Sequence, residues 1–348
     1  MAELTKQDRE EINWDGIKRL LERQIPEAKG ELKVRRFSAG YSNITYSIEV
    51  GDWKGVLRRP PFGEIPPRAH DMEREFKILE KIHPVFLLAP KPYVYSENPS
   101  LMDKHFYVME RKEGVVIDDQ LPAHYDDIEG IRKIVSEAVV DSLVKLHSIN
   151  IYDHQLADLG KPDGFLERQV KGWIKRYNRA KTHDYAGVEE VEAWLLQQLP
   201  DSPVPTLVHN DFKLNNMMFS KENPGEVTGV FDWELSTIGD PLTDVGAALA
   251  YWTEPGDPET GLTAVTKEEG FLSRKQMLEL YAERSGRDVS QINFYLVFSF
   301  YKIASILQQI YARWSSGELQ DDRFANLDQG ISNLMKKAEE TRRHPIYT

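Results

Sequence analysis

The chain has 348 residues, 41% hydrophobic and 10% aromatic, which is enough apolar material for two domains or one large two-lobed domain and argues against a disordered chain. Its 44 basic and 56 acidic residues leave a formal charge of −12, which disfavours a general binder of nucleic acid or anionic membrane, since such proteins need phosphate-neutralising cations. The absence of cysteine excludes disulfides, thiolate zinc sites and a cysteine nucleophile, and together with a charged N-terminus lacking an apolar signal core it leads us to expect a cytoplasmic protein.

In chain order, residues 13–25 (NWDGIKRLLERQI) place Ile17, Leu20, Leu21 and Ile25 along one side, which predicts an amphipathic helix with Asn13 as its N-cap. Ile44, Tyr46, Ile48 and Val50 alternate with Thr45, Ser47 and Glu49, the period of a half-buried strand. Gly51-Asp52 then turns the chain into a returning strand over residues 54–59. Before that hairpin lies SAGYSN, where backbone N–H groups around Gly40, helped by Ser42 and Asn43, could meet nucleotide phosphates. With a single glycine, an ordinary hairpin turn is the simpler reading.

In the returning strand Val56 and Arg58 share one face, and Leu57 and Arg59 the other. One cation therefore points the same way as an apolar neighbour, which requires a partner. The predicted helix 70–82 offers Glu75 beside its apolar stripe of Met72, Phe76 and Leu79, with Glu73, Lys77 and Glu80 opposite. Periodicity alone leaves two options for Glu75, an inward counter-ion to Arg58 or a solvated charge at the edge of the stripe.

A strand over 105–110 (HFYVME) leads into the polar segment 111–114, where the pattern changes from strands to long helices. This places a boundary near Arg111, with an N-terminal lobe over 1–111 and a helical C-terminal lobe over 112–348. Helical spacing recurs over 126–148, 165–180, 188–199, 241–252, 273–285, 290–314 and 324–342. His147 reads as a hydrogen-bonded packing histidine. The helix 165–180 carries Arg168, Lys171, Trp173 and Arg176; it could face an anionic substrate, although a solvated charged face is the simpler expectation. The run 291–311 is the nearest thing to a membrane span, but Lys302 and several amides make it a buried helix, so no membrane partner is expected.

The chemistry concentrates in residues 207–240, LVHNDFKLNNMMFSKENPGEVTGVFDWELSTIGD. Apolar runs bracket His209, Asp211, Lys213, Asn216 and Asp232, as in a loop held between short strands. Phosphoryl transfer needs a carboxylate at the acceptor hydroxyl, cations over the phosphates and hard oxygen ligands for Mg²⁺. Asp211 suits the first role, Lys213 could neutralise charge on the transferred group, and Asn216 and Asp232 could hold the metal. His209 reads as a brace, and Arg58 as the cation over the α- and β-phosphates. A calcium loop is spoiled by Lys213 and Leu214, a zinc hydrolase would use more histidines than His209, and no G-x-S-x-G turn is present.

Taken together, H-N-D-x-x-x-x-N at 209–216 and F-D-W-E at 231–234 resemble the aminoglycoside phosphotransferase and choline kinase group. VLRRPPFG, FLERQVKGWIKRY and FDWELSTIGDPLTDVGAALAYW look closer still to the phosphotransferase-like proteins found near, or fused to, acyl-CoA dehydrogenases. The resemblance implies an α+β, protein-kinase-like two-lobed fold with a small antiparallel-sheet lobe and a large helical one. It implies Asp211 as catalytic base, Asn216 and Asp232 as Mg²⁺ ligands, Arg58 in place of the usual kinase lysine with Glu75 as its helix partner, and Met109, Glu110 and Arg111 as the hinge whose backbone meets the purine. Asn210 departs from the usual glycine of the antibiotic-modifying members.

The expected activity is therefore ATP- or GTP-dependent, Mg²⁺-requiring phosphorylation of a hydroxyl on a small molecule. The acceptor expected is a hydroxyacyl-CoA or related hydroxy acid rather than an aminoglycoside. A nucleotide-binding pseudokinase that regulates a partner is the alternative.

Overall fold

A two-residue turn at Gly51-Asp52 sets the register of the first hairpin, and the N-terminal sheet grows from it. Gly51 adopts φ +59, and a Cβ there would meet the Lys29 carbonyl oxygen at 2.0 Å, so only glycine fits. The structure, a computed structural model, describes residues 1–37, 43–63, 71–262 and 264–346. Its contacts divide the chain into two compact units, Met1–Glu113 with Thr228–Glu234, and Gly114–Val227 with Leu235–Thr348.

The first unit contains α1 (Lys6–Glu10), α2 (Trp14–Gln24), β1 (Leu32–Arg36), β2 (Ile44–Val50), β3 (Trp53–Arg59), α3 (Met72–Ile82), β4 (Pro92–Ser96) and β5 (Phe106–Glu110). The strands form one antiparallel sheet in the order β1-β2-β3-β5-β4. Asn13 caps α2 by accepting from the Gly16 N–H at 2.8 Å, as its position predicts. Ile17, Leu20 and Leu21 then bury against Tyr46, Ile48, Val50, Leu57, Val94, Phe106 and Val108, each side chain worth roughly 1.5–3 kcal/mol. The opposite face carries Ser47, Val56, Arg58, Tyr107 and Met109, with Arg58 paired directly across from Tyr107. There α3 packs Phe76 against Tyr95 and Tyr107. Ser47 is buried, but Thr45 and Glu49 on the same face stay partly exposed, so the strand is half-buried as its alternation suggests, with Ser47 the exception.

The second unit is mainly helical. It comprises β6 (Val115–Val116), α4 (Ile131–His147), α5 (Phe165–Ala180), α6 (Val188–Gln197), β7 (Thr206–Val208), β8 (Met217–Phe219), the start of β9 (Val227–Val230), β10 (Thr237–Gly239), α7 (Pro241–Tyr251), α8 (Arg274–Ser285), α9 (Ile292–Ser315) and α10 (Leu327–Arg343). The antiparallel-sheet unit and the helical unit give the α+β organisation expected from the sequence. α4 starts at Ile131, later than the apolar spacing from residue 126 suggests, because Gly130 turns at φ +69 just before it. Among the described residues no helix is long and apolar enough to cross a membrane.

α7 is almost wholly buried and lies against α9, where Gly246 touches the Tyr295 backbone. A Cβ at Gly246 would sit 2.8 Å from the Tyr295 carbonyl, so Gly246→Ala is expected to push the helices apart and cost about 1–3 kcal/mol. Urea unfolding checks this; an unchanged midpoint would show that the contact relaxes freely.

Candidate active site

In the second unit the loop 209–216 hangs from β7, which pairs antiparallel with β10. One buried carboxylate, Asp244 on α7, fixes the loop. Its Oδ2 accepts from the His209 N–H at 2.6 Å and its Oδ1 from the Asn210 N–H at 2.6 Å. His147 approaches Asp244 Oδ2 through Nε2 at 3.4 Å and meets the Tyr281 hydroxyl through Nδ1 at 2.8 Å. His147 is thus a packing histidine in geometry as well as in pattern. Burial alone would push the Asp244 carboxyl up, but His147, His209 and their hydrogen bonds carry it below the usual range.

Asn210 adopts φ +66, a left-handed conformation that asparagine tolerates better than most residues with a Cβ. Its Nδ2 donates to the Leu235 carbonyl at 2.9 Å, and its own carbonyl accepts from Lys302 Nζ at 2.7 Å. The residue that departs from the usual glycine therefore keeps a glycine-like backbone and adds a tether. His209 is fully buried and accepts the Asp211 N–H on Nδ1 at 3.3 Å, which makes it a brace.

Asp211 is the carboxylate that this scaffold presents. Lys213 Nζ lies 2.9 Å from its Oδ2, and Asn216 Nδ2 donates to the same oxygen at 3.0 Å and to the Asp211 carbonyl at 2.9 Å. With Nδ2 so used, Oδ1 is the Asn216 atom left to face a cation. Tyr251 adjoins the carboxylate; burial and the Asp211 charge hold its phenol protonated well above the usual range.

In the first unit Arg58 is the hub. Its Nε lies 3.3 Å from Glu75 Oε2, and its Nη2 lies 2.7 Å from Asp232 Oδ1 and 3.7 Å from Glu234 Oε2. Of the two options left open for Glu75, the inward counter-ion is the one observed. Asp232 sits at φ +71, ahead of buried Trp233, whose indole donates to the Val230 carbonyl and packs edge-on against Phe86. Among the described residues no group of three or more His, Cys, Asp or Glu could hold a metal by itself. Mg²⁺ takes much of its shell from phosphates and water, so it does not require such a group.

Burial, reinforced by the Asp232 and Glu234 charges, pushes Glu75 up to about 7 in spite of Arg58. A carboxyl raised on folding stabilises the fold below its unfolded value and loses that contribution as pH rises toward 7. Wild-type stability should therefore fall between about pH 4.5 and 7 relative to Glu75→Gln; parallel urea-unfolding profiles would refute this.

The single inward cation expected in β3 needs correction, because Arg59 is buried too. It donates to Asp103 at 2.7 Å and to the Pro60 carbonyl at 3.0 Å, with the Phe62 ring 3.9 Å away. Glu110 donates its backbone N–H to the Lys91 carbonyl at 2.7 Å, so that N–H is not open to a base. Arg111 turns its side chain to Ser47 and Glu49. Met109 lies buried in β5 and Asn43 is buried just before β2, whereas Gly40 and Ser42 lie outside the described residues. Sequence reasoning gave no site role to Asp244, Tyr251 or Lys302. The G-D-P-L-T-D spacing was the available signal for Asp244; Lys302 stood out only as a charge in an apolar run.

The phosphotransferase enzyme family matches residues 33–276. Human acyl-CoA dehydrogenase family member 11 is 33% identical over 315 residues, 88% of this chain but only 40% of that protein's length. An aminoglycoside phosphotransferase structure from Ralstonia eutropha superposes with a TM-score of 0.82 at 26% identity, covering 95% of this chain and 98% of that one. An aminoglycoside phosphotransferase in ternary complex with ADP and hygromycin B shares the fold, with a TM-score of 0.60 at 16% identity over 93% of this chain and 97% of its own. The match over residues 33–276, more than half of its length, shows that this chain belongs to the phosphotransferase enzyme family.

Proposed function

We propose that the chain transfers the γ-phosphoryl group of ATP or GTP to a hydroxyl of a small molecule, with a hydroxyacyl-CoA or related hydroxy acid as acceptor. The observation that carries this reading is Asp211, a carboxylate steadied by Lys213 and Asn216 on a loop whose backbone Asp244 fixes. Asp211 accepts the acceptor's hydroxyl proton as its oxygen bonds to the γ-phosphorus and the bond to the β-phosphate oxygen breaks, releasing a nucleoside diphosphate. Lys213 offsets charge on the group in transfer. Arg58, oriented by Glu75, binds the α- and β-phosphates through its bidentate fork. Asn216 and Asp232 would hold Mg²⁺, which when bound neutralises the phosphate oxygens. The acceptor class draws support from the acyl-CoA dehydrogenase names of the matching relatives.

The test is transfer of labelled γ-phosphate from ATP and GTP, with Mg²⁺, to a panel of hydroxyacyl-CoAs and free hydroxy acids. Turnover of another alcohol with none of the panel would reject the acceptor. No turnover with any alcohol, alongside tight nucleotide binding, would reject the enzyme reading in favour of a pseudokinase.

A further inference from the structure

The charges gathered around Asp211 bear on what the acceptor carries besides its hydroxyl. Lys302, on α9, is half-buried, and its ammonium spends one of three donors on the Asn210 carbonyl. Its other contact is the Trp173 ring, 5.6 Å away. Arg176, one turn along α5, lies 4.5 Å from the same ring and has no carboxylate partner among the described residues. Lys213 lies 5.1 Å from the Tyr251 ring. Burial depresses the Lys302 amine and the neighbouring Lys213 and Arg176 charges add to that, while Asp211 and Asp244 oppose it. Lys302 therefore feels two cations and two carboxylates, and of these Asp244 is already saturated by backbone N–H groups and His147.

The other two cations noted in α5 are occupied elsewhere. Arg168 binds the Asp163 and Lys161 carbonyls, and Lys171 pairs with Glu167 at 2.5 Å. Arg176 and Lys302 are the pair with donors to spare at the Trp173 ring, and Lys302 is tied to the residue before the base.

We propose that Lys302 and Arg176, gathered at Trp173, form the subsite that binds a negatively charged group of the acceptor, a carboxylate or phosphate, while Asp211 faces its hydroxyl. This rests on the phosphotransferase reading and narrows it to anionic acceptors. Lys302 acts as a positioning residue twice over. One donor fixes the peptide that precedes Asp211, and the others hold the substrate at a set distance from that carboxylate. A cationic acceptor would meet like charge at this point.

The experiment uses the full chain and short hydroxy acids, their primary amides and the matching amino alcohols. Binding is measured by calorimetry and transfer by labelled γ-phosphate. Acids should bind roughly tenfold or more tightly than amides, the effect of a charge-assisted hydrogen bond. Lys302→Met and Arg176→Gln should each erode that preference, and Lys302→Arg should restore part of it. Equal binding of acids and amides, preference for the amines, no binding at all, or equal loss for all three classes in Lys302→Met would overturn the subsite; the last would leave Lys302 as loop support alone. Acid-selective, Lys302-dependent binding without transfer would keep the subsite and reject the phosphotransfer reading.

Discussion

Asp211→Asn is expected to slow phosphoryl transfer roughly a hundred- to ten-thousandfold, the range for loss of a positioned general base. The amide is nearly isosteric and can still accept from Asn216 at the oxygen position, so the loop should keep its shape. It cannot take a proton, and it removes the negative partner that Lys213 meets at 2.9 Å. Nucleotide affinity should change little, because the base acts in the transition state and not in the ground state. Single-turnover transfer and calorimetric nucleotide binding, measured on one preparation, separate the two effects. A variant within tenfold of wild type would take Asp211 out of the base role.

Asp244→Asn should damage both stability and activity, though Asp244 touches no substrate in this scheme. Each carboxylate oxygen accepts a backbone N–H at 2.6 Å, and an amide can offer only one acceptor while turning donors toward the other N–H. Leaving one buried N–H unpaired costs roughly 1–3 kcal/mol, and the loop that carries Asp211 should loosen with it. Because folding lowers the Asp244 pKa, its contribution is fully present above the unfolded value of 3.8 and is lost as pH falls through the folded value. Wild type and variant should therefore differ at pH 7 and approach one another only under acid conditions. Denaturant unfolding at both pH values checks this; equal stability at pH 7 would show the loop is held by something else.

Periodicity made most of the fold legible. α2, α5, α7 and the β2–β3 hairpin lie within a residue or two of where apolar spacing puts them. What it could not reveal were elements too short to repeat. α1 is five residues defined by a reciprocal Thr5–Asp8 capping box, and β4 begins on a proline. The Arg58–Glu75 pair was partly legible, because an inward charge implies a partner. The clasp of Arg58 on Asp232 was not, since 174 residues separate them and no local pattern encodes it. Lys302 was hidden for a similar reason: its meaning depends on a carbonyl 92 residues earlier.

The left-handed backbone at Asn210 has a consequence for which sequences this loop can accept. Glycine should be admissible there, since it relieves strain and forfeits only the tether to Leu235. Valine, isoleucine and threonine should be rejected, because a branched Cβ resists that conformation. A saturation library at codon 210 selected for activity should therefore return a short alphabet of Gly, Asn and, less often, Asp. Relatives with glycine at this place and this chain with asparagine would then be two spellings of one backbone instruction.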